Sequence, residues 1–83
     1  SYVVKLVSPS NQKDEILRVC QKFCSSVNLL SIDFLGEELM KETIVLEIEL
    51  FKGDSYNELV ATLQGQLALD HISLLVGESD INA

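Results

Sequence analysis

The chain reads as an α+β fold of the ferredoxin-like βαββαβ plan, and three observations support this reading. Apolar residues follow the order strand, helix, strand, strand, helix, strand within 83 residues. The stretch from Ile44 to Phe51 alternates so regularly that it reads as a half-buried strand with one open face. Both helical stretches begin with small polar residues followed by acids, which suits the positive end of a helix dipole. Together these give a four-stranded antiparallel sheet in the order 4-1-3-2, with two helices on one face.

The first strand is expected over Tyr2–Val7, with Val4 and Leu6 on one face and Val3, Lys5 and Val7 on the other. The loop Ser8-Pro9-Ser10-Asn11 ends it, and Ser or Asn there can cap the helix that follows. From Gln12 to Val27 the period is helical, with Ile16, Val19, Cys20, Phe23 and Val27 in one stripe that Leu17 and Cys24 widen. A second strand runs from about Leu29 to Leu35, where Leu30, Ile32 and Phe34 alternate with Ser31 and Asp33. Gly36 opens a turn, and Glu37, Glu38 and Glu42 read as a solvated connection. In the third strand Ile44, Leu46, Ile48 and Leu50 alternate with Val45, Glu47, Glu49 and Phe51. Gly53-Asp54 marks a loop, and Ser55 with Glu58 forms a capping box for a second helix whose stripe is Tyr56, Leu59, Val60, Leu63 and Leu67. Gly65 weakens that helix near its end. Ile72, Leu74 and Val76 make the fourth strand, and a polar tail follows from Gly77.

Size and charge narrow the function. A chain of 83 residues makes one domain, read here as residues 1–83. So small a domain buries only roughly 60–65% of its unfolded surface, so self-association is in keeping with its size. Thirteen acids against six bases leave a net charge of −7, which repels nucleic-acid phosphates and anionic headgroups. No apolar run reaches the ~18 residues of a membrane span, so this segment is not expected to insert directly into a membrane. The chain opens on Ser1 and its one methionine is Met40, so it reads as a domain taken from a larger protein.

No constellation of catalytic residues emerges, so the chain is not expected to be an enzyme. A copper carrier of this plan needs two thiols after the first strand, and that loop has none. An RNA binder needs aromatic and basic residues on the middle strands, where this chain has Glu47 and Glu49. An acylphosphatase-like cradle needs an arginine in the first loop, but the one arginine, Arg18, lies inside the helix. His71 is the single histidine and reads as exposed at a strand start; four scattered glycines make no phosphate loop. Cys20 and Cys24, four apart in a helical pattern, cannot form a good disulfide or close a zinc site. They read as reduced core thiols, which suits a cytosolic compartment. Asp33, Glu47 and Glu49 share the open face, where Lys5 can pair with them, so a solvated or inter-subunit charge face is expected rather than a cation site. No cofactor and no metal are expected.

The element order, the segment VNLLSIDF and the closing LVATLQGQLALDHISLLV resemble ACT-type regulatory domains. The resemblance spans nearly the whole chain and implies a non-catalytic regulatory role. Amino-acid-sensing members place a glycine in the first loop, whereas this loop has Pro9 and no glycine. A narrower resemblance is to the C-terminal domain of MgtC/SapB-family bacterial membrane proteins. It rests on the opening VVKLVSPSNQKDEILRV and on ETIVLEIEL followed by DSYNELVATL. It implies a cytoplasmic domain tethered to the inner membrane through an N-terminal membrane part, in a family associated with magnesium limitation and intracellular survival.

Two candidate sites follow. Ser8, Ser10 and Asn11 in the first loop are candidate ligand contacts, and the alternative to a regulatory and assembly module is a small-molecule (amino acid) or divalent-cation sensing domain of a metabolic enzyme or transporter, using this loop or the acidic sheet face. Val3, Val7, Val45, Phe51 and Leu75 on the open sheet face are candidate interface residues. The expected partner is a second copy of the chain or other domains of the parent protein.

Overall fold

A computed structural model describes residues 1–9, 11–37 and 40–76. Ser10 and the tail from Gly77 lie outside the described residues. The elements run β1 (Tyr2–Pro9), α1 (Lys13–Phe23), β2 (Cys24–Leu35), β3 (Lys41–Leu50), α2 (Tyr56–Gln66) and β4 (His71–Val76). The sheet order is β2-β3-β1-β4, which is the expected 4-1-3-2 read from its other edge. All three pairings are antiparallel.

The core lies between one sheet face and both helices. Val4 and Leu6 of β1 and Ile44, Leu46 and Ile48 of β3 point the same way, because strand side chains alternate. Ile16, Val19 and Cys20 of α1 and Leu59 and Leu63 of α2 close over them. Ser55 caps α2 as its sequence implies, its hydroxyl accepting from the Glu58 backbone N–H at 3.2 Å. Gly36 and Gly53 adopt positive φ of 81° and 95° in the turns that glycine favours.

Four local expectations are corrected. β1 does not stop at Val7: Ser8 and Pro9 pair with Glu42 and Lys41, and because the β4 register ends at Val7, Pro9 lies at an edge, where no ladder bond needs its missing N–H. Neither Ser nor Asn caps α1; Gln12 is the N-cap, without a side-chain cap bond. Asn11 instead turns left-handed, with φ of 73°. Third, α1 ends at Phe23 rather than Val27, and Cys24 to Val27 belong to β2. Cys24, Ser26 and Val27 pair with Leu50, Glu49 and Ile48, and these ladder bonds, together with the poor helix propensity of Ser25 and Ser26, outweigh the helical stripe. Fourth, Glu42 is no solvated turn residue: it sits in β3 and is only 5% exposed.

Two register shifts shape β2, between Cys24 and Ser26 and between Leu29 and Ser31. Each inserts an extra residue, Ser25 and Leu30, and each moves the core-facing set by one position. The Ser25 hydroxyl donates to the Glu49 carbonyl at 3.3 Å. The residues of β2 that share the core face are therefore Cys24, Val27, Leu29, Ile32 and Phe34, opposite Leu50, Ile48, Leu46, Ile44 and Glu42. Helical cover does not reach all of them. Eleven residues of α1 span about 16 Å, whereas twelve residues of β2 extend about 40 Å. Leu29 and Phe34 consequently stay 44% and 54% exposed on the face that elsewhere is core.

Candidate functional site: an uncovered edge strand and the groove beside it

The sheet face away from the helices carries three cross-strand rows. Leu75, Val3, Glu47 and Asn28 form one, Ser73, Lys5, Val45 and Ser31 the next, and His71, Val7, Thr43 and Asp33 the third. The interface candidates Val3, Val7 and Val45 thus share this face in successive rows and are half-buried, with Leu75 exposed at the β4 edge. Phe51 lies just past β3 and is exposed, with its backbone N–H bonded to the Phe23 carbonyl at 2.9 Å.

The acids of this face do not gather. Glu47 opposes Asn28, but Asp33 opposes Thr43, four residues along the same strand. At strand rise that separation is about 13 Å. No group of three or more His, Cys, Asp or Glu able to hold a metal occurs among the described residues. Lys5 forms no ion pair with these acids; the described ion pairs away from them include Lys41–Asp70 at 3.0 Å.

A second set of exposed apolar residues lies along β2, and sequence periodicity does not reveal it. Leu29, Leu30, Phe34 and Leu35 of β2, with Met40 close by in sequence, are exposed at 42–64%. β2 is an edge strand of 12 residues, so one side of its backbone has no partner strand among the described residues. Leu30 belongs to this set because it is the inserted bulge residue. Phe34 belongs to it because α1 stops short of the strand's far half.

The ligand candidates of the first loop are split by the fold. Ser8 is fully buried and its hydroxyl donates to the Pro9 carbonyl at 2.9 Å, so it faces no ligand. Ser10 lies outside the described residues. Asn11 is exposed and borders a groove of about 430 Å³, lined also by Lys13, Asp14, Ile32, Phe34 and Glu42. Across the sheet, Glu42 stands between Ser8 of β1 and Phe34 of β2. The Asn11 backbone N–H donates to Glu42 Oε1 at 3.2 Å, tying the loop to β3 across 31 residues of sequence. Glu42 Oε2 is buried without a hydrogen-bond partner. Lys13 pairs with Asp14 at 3.5 Å. The loop is anchored from behind, where Gln12 Nε2 donates to the Ala68 carbonyl at 3.0 Å and the Asp70 N–H to the Val7 carbonyl at 2.8 Å.

The two thiols sit at the opposite end of α1. Both are free and buried. Burial, and then the neighbouring Cys24, push the Cys20 thiol up to about 12. Burial, and then Asp54, push Cys24 up as well. Thiols held protonated are poor nucleophiles and poor metal ligands. Burial followed by Cys20 likewise raises Tyr56, whose ring meets Tyr2 at a centroid distance of 6.3 Å.

No protein-family model matches the chain, and no curated protein matches it in sequence. Among solved structures, it is similar to the C-terminal domain of the MgtC protein from Mycobacterium tuberculosis, a solution structure. The match has a TM-score of 0.54 and 17% identity, and covers 93% of this chain and 86% of that one. The likeness shows a shared fold. No described helix is long and apolar enough to cross a membrane.

Proposed function

We propose that this chain is a non-catalytic regulatory and assembly domain of a larger, MgtC-like bacterial membrane protein, held on the cytoplasmic side. In this reading it acts by pairing with a second copy of itself along the edge of β2. One observation carries the reading: a 12-residue edge strand along which Leu29, Leu30, Phe34 and Leu35 are each exposed, Leu29 and Phe34 on the helix-side face and Leu35 on the other. An open edge recruits another strand through its unpaired N–H and C=O groups, and the apolar side chains add the burial that makes the pairing stable. Two copies meeting this way form a self-complementary contact around a two-fold axis. The fold shared with an MgtC C-terminal domain supports the parentage, and the apolar edge supports the pairing.

Sedimentation velocity over a wide concentration range tests this. The wild-type chain is expected to convert reversibly from monomer to dimer, and Leu30→Asp to remain a monomer. Leu30 packs in no core, so that variant keeps its fold. A wild-type chain that stays monomeric at the highest concentration, and that does not bind the remainder of its parent protein, overturns the proposal. Binding to the parent alone moves the partner from a second copy to a neighbouring domain and overturns the self-pairing.

A further inference from the structure

Edge pairing makes no use of Glu42. It is only 5% exposed, yet Oε2 has no donor. A carboxylate oxygen removed from water without a hydrogen bond costs stability. Such groups are rare enough in folded chains that each calls for an explanation. Here the explanation lies in the groove that Glu42 lines.

We infer that this groove binds an organic cation, a primary ammonium or guanidinium group carried on an apolar body, with Glu42 Oε2 as its anchoring acceptor. Four features select that chemistry. A carboxylate accepts and does not donate, so its partner must bring N–H groups, and a charged donor gives the stronger bond. The Asn11 N–H occupies Oε1 and leaves Oε2 as the vacant acceptor. Ile32 and Phe34 wall the groove, so an apolar body has surfaces to pack on and a cation can sit against the Phe34 ring. A volume of about 430 Å³ falls within the range of small-ligand sites.

The other charged groups on the groove are Lys13 and Asp14. Lys13 would oppose a cation, but its ammonium lies with Asp14 at 3.5 Å and makes no ion pair with Glu42. The net charge of −7 further favours cations over anions near this surface. The terminal torsion of a glutamate is soft, so a small rotation presents Oε2 to an incoming donor. The cation could be a free amine or a lysine or arginine side chain of another protein segment, since both offer the same head group.

Amide NMR titration of the full chain separates these cases. The probes are hexylammonium, hexanol, hexanoate and a lysine blocked at both its α-amino and carboxyl groups. Titrations run at a dilution where sedimentation shows only monomer, and again in Leu30→Asp, so that failure of edge pairing leaves this test intact. Hexylammonium is expected to give saturable shifts at Asn11, Lys13, Ile32 and Glu42, with hexanol and hexanoate giving none. Glu42→Gln keeps the shape and is expected to weaken hexylammonium by about ten-fold. Phe34→Leu keeps the carboxylate and is expected to weaken it less; it carries the test if Glu42→Gln does not fold. Blocked lysine binding as tightly as hexylammonium supports the site with a protein side chain as its source, and weaker binding supports it with a free amine. Equal shifts from hexanol, tighter binding of hexanoate, no shift with any probe, or undiminished binding in Glu42→Gln overturns the inference.

Discussion

Replacing Glu42 by leucine should stabilise this domain, against the usual outcome of changing a buried residue. The wild-type side chain leaves Oε2 without a partner, which carries a desolvation penalty of about 1–3 kcal/mol. Leucine removes that penalty and adds apolar contact beside Ile32 and Phe34, which line the same groove. The loss is one hydrogen bond, from the Asn11 N–H to Oε1 at 3.2 Å. Asn11 is exposed, so water can replace the acceptor, and the lost bond is worth about 0.5–1.5 kcal/mol. The balance favours leucine by about 1 kcal/mol. In a domain of this size that raises Tm by roughly 4–8 °C. Urea unfolding followed by circular dichroism, with equal m-values for both proteins, measures it. A loss of 1 kcal/mol or more would show that Oε2 has a donor in solution and would refute the reasoning about the groove.

Three further outcomes are expected. The buried Cys20 thiol, pushed up to about 12 from its ordinary 9.0, keeps its proton where the unfolded thiol ionises. Its contribution is therefore complete below pH 9 and declines as pH rises from there, by about 1.4 kcal/mol per unit at the steepest. Urea midpoints across pH 8 to 11 measure this, Cys20→Ala should flatten the decline, and an unchanged slope in that variant would exclude Cys20 as its source. Ser55→Ala removes the acceptor for the Glu58 N–H and should cost about 1 kcal/mol in the same assay, with no change counting against the cap. Self-association should tighten as salt rises, because screening shortens from about 30 Å at 0.01 M to about 8 Å at 0.15 M and each copy carries −7. Sedimentation showing weaker dimers in salt would mean that ion pairs, not leucines, make the contact.

Topology was legible in the sequence because it rests on period. Ile44, Leu46 and Ile48 alternate strictly, and all three lie at the core with no exposure. Leu59 and Leu63 are one helical turn apart, and both are core. The boundary between α1 and β2 was not legible, because Cys24 and Val27 fit a helical stripe with Cys20 as well as they fit a strand opposite Leu50 and Ile48. Pairing with β3, remote in sequence, decided it. The two bulges in β2 left no period of their own, so Leu30 alternates with Ser31 and Asp33 in the sequence just as Ile32 does, yet stands 54% exposed in the fold. Glu42 was hidden for a related reason. It sits between Ser8 and Phe34 and accepts from the Asn11 N–H, and no local pattern records a contact across 31 residues. The first-loop candidates were right in location for Asn11, which borders the groove, and wrong in exposure for Ser8, which is sealed inside.

The claim that β2 is the pairing edge is tested most directly by amide hydrogen exchange at low and high protein concentration. The sheet has two edges, the long apolar β2 and the six-residue β4. On raising the concentration, exchange should slow in β2 between Leu29 and Leu35 and stay constant in β4. Protection that grows in β4 instead, or exchange in β2 that does not depend on concentration, would contradict it.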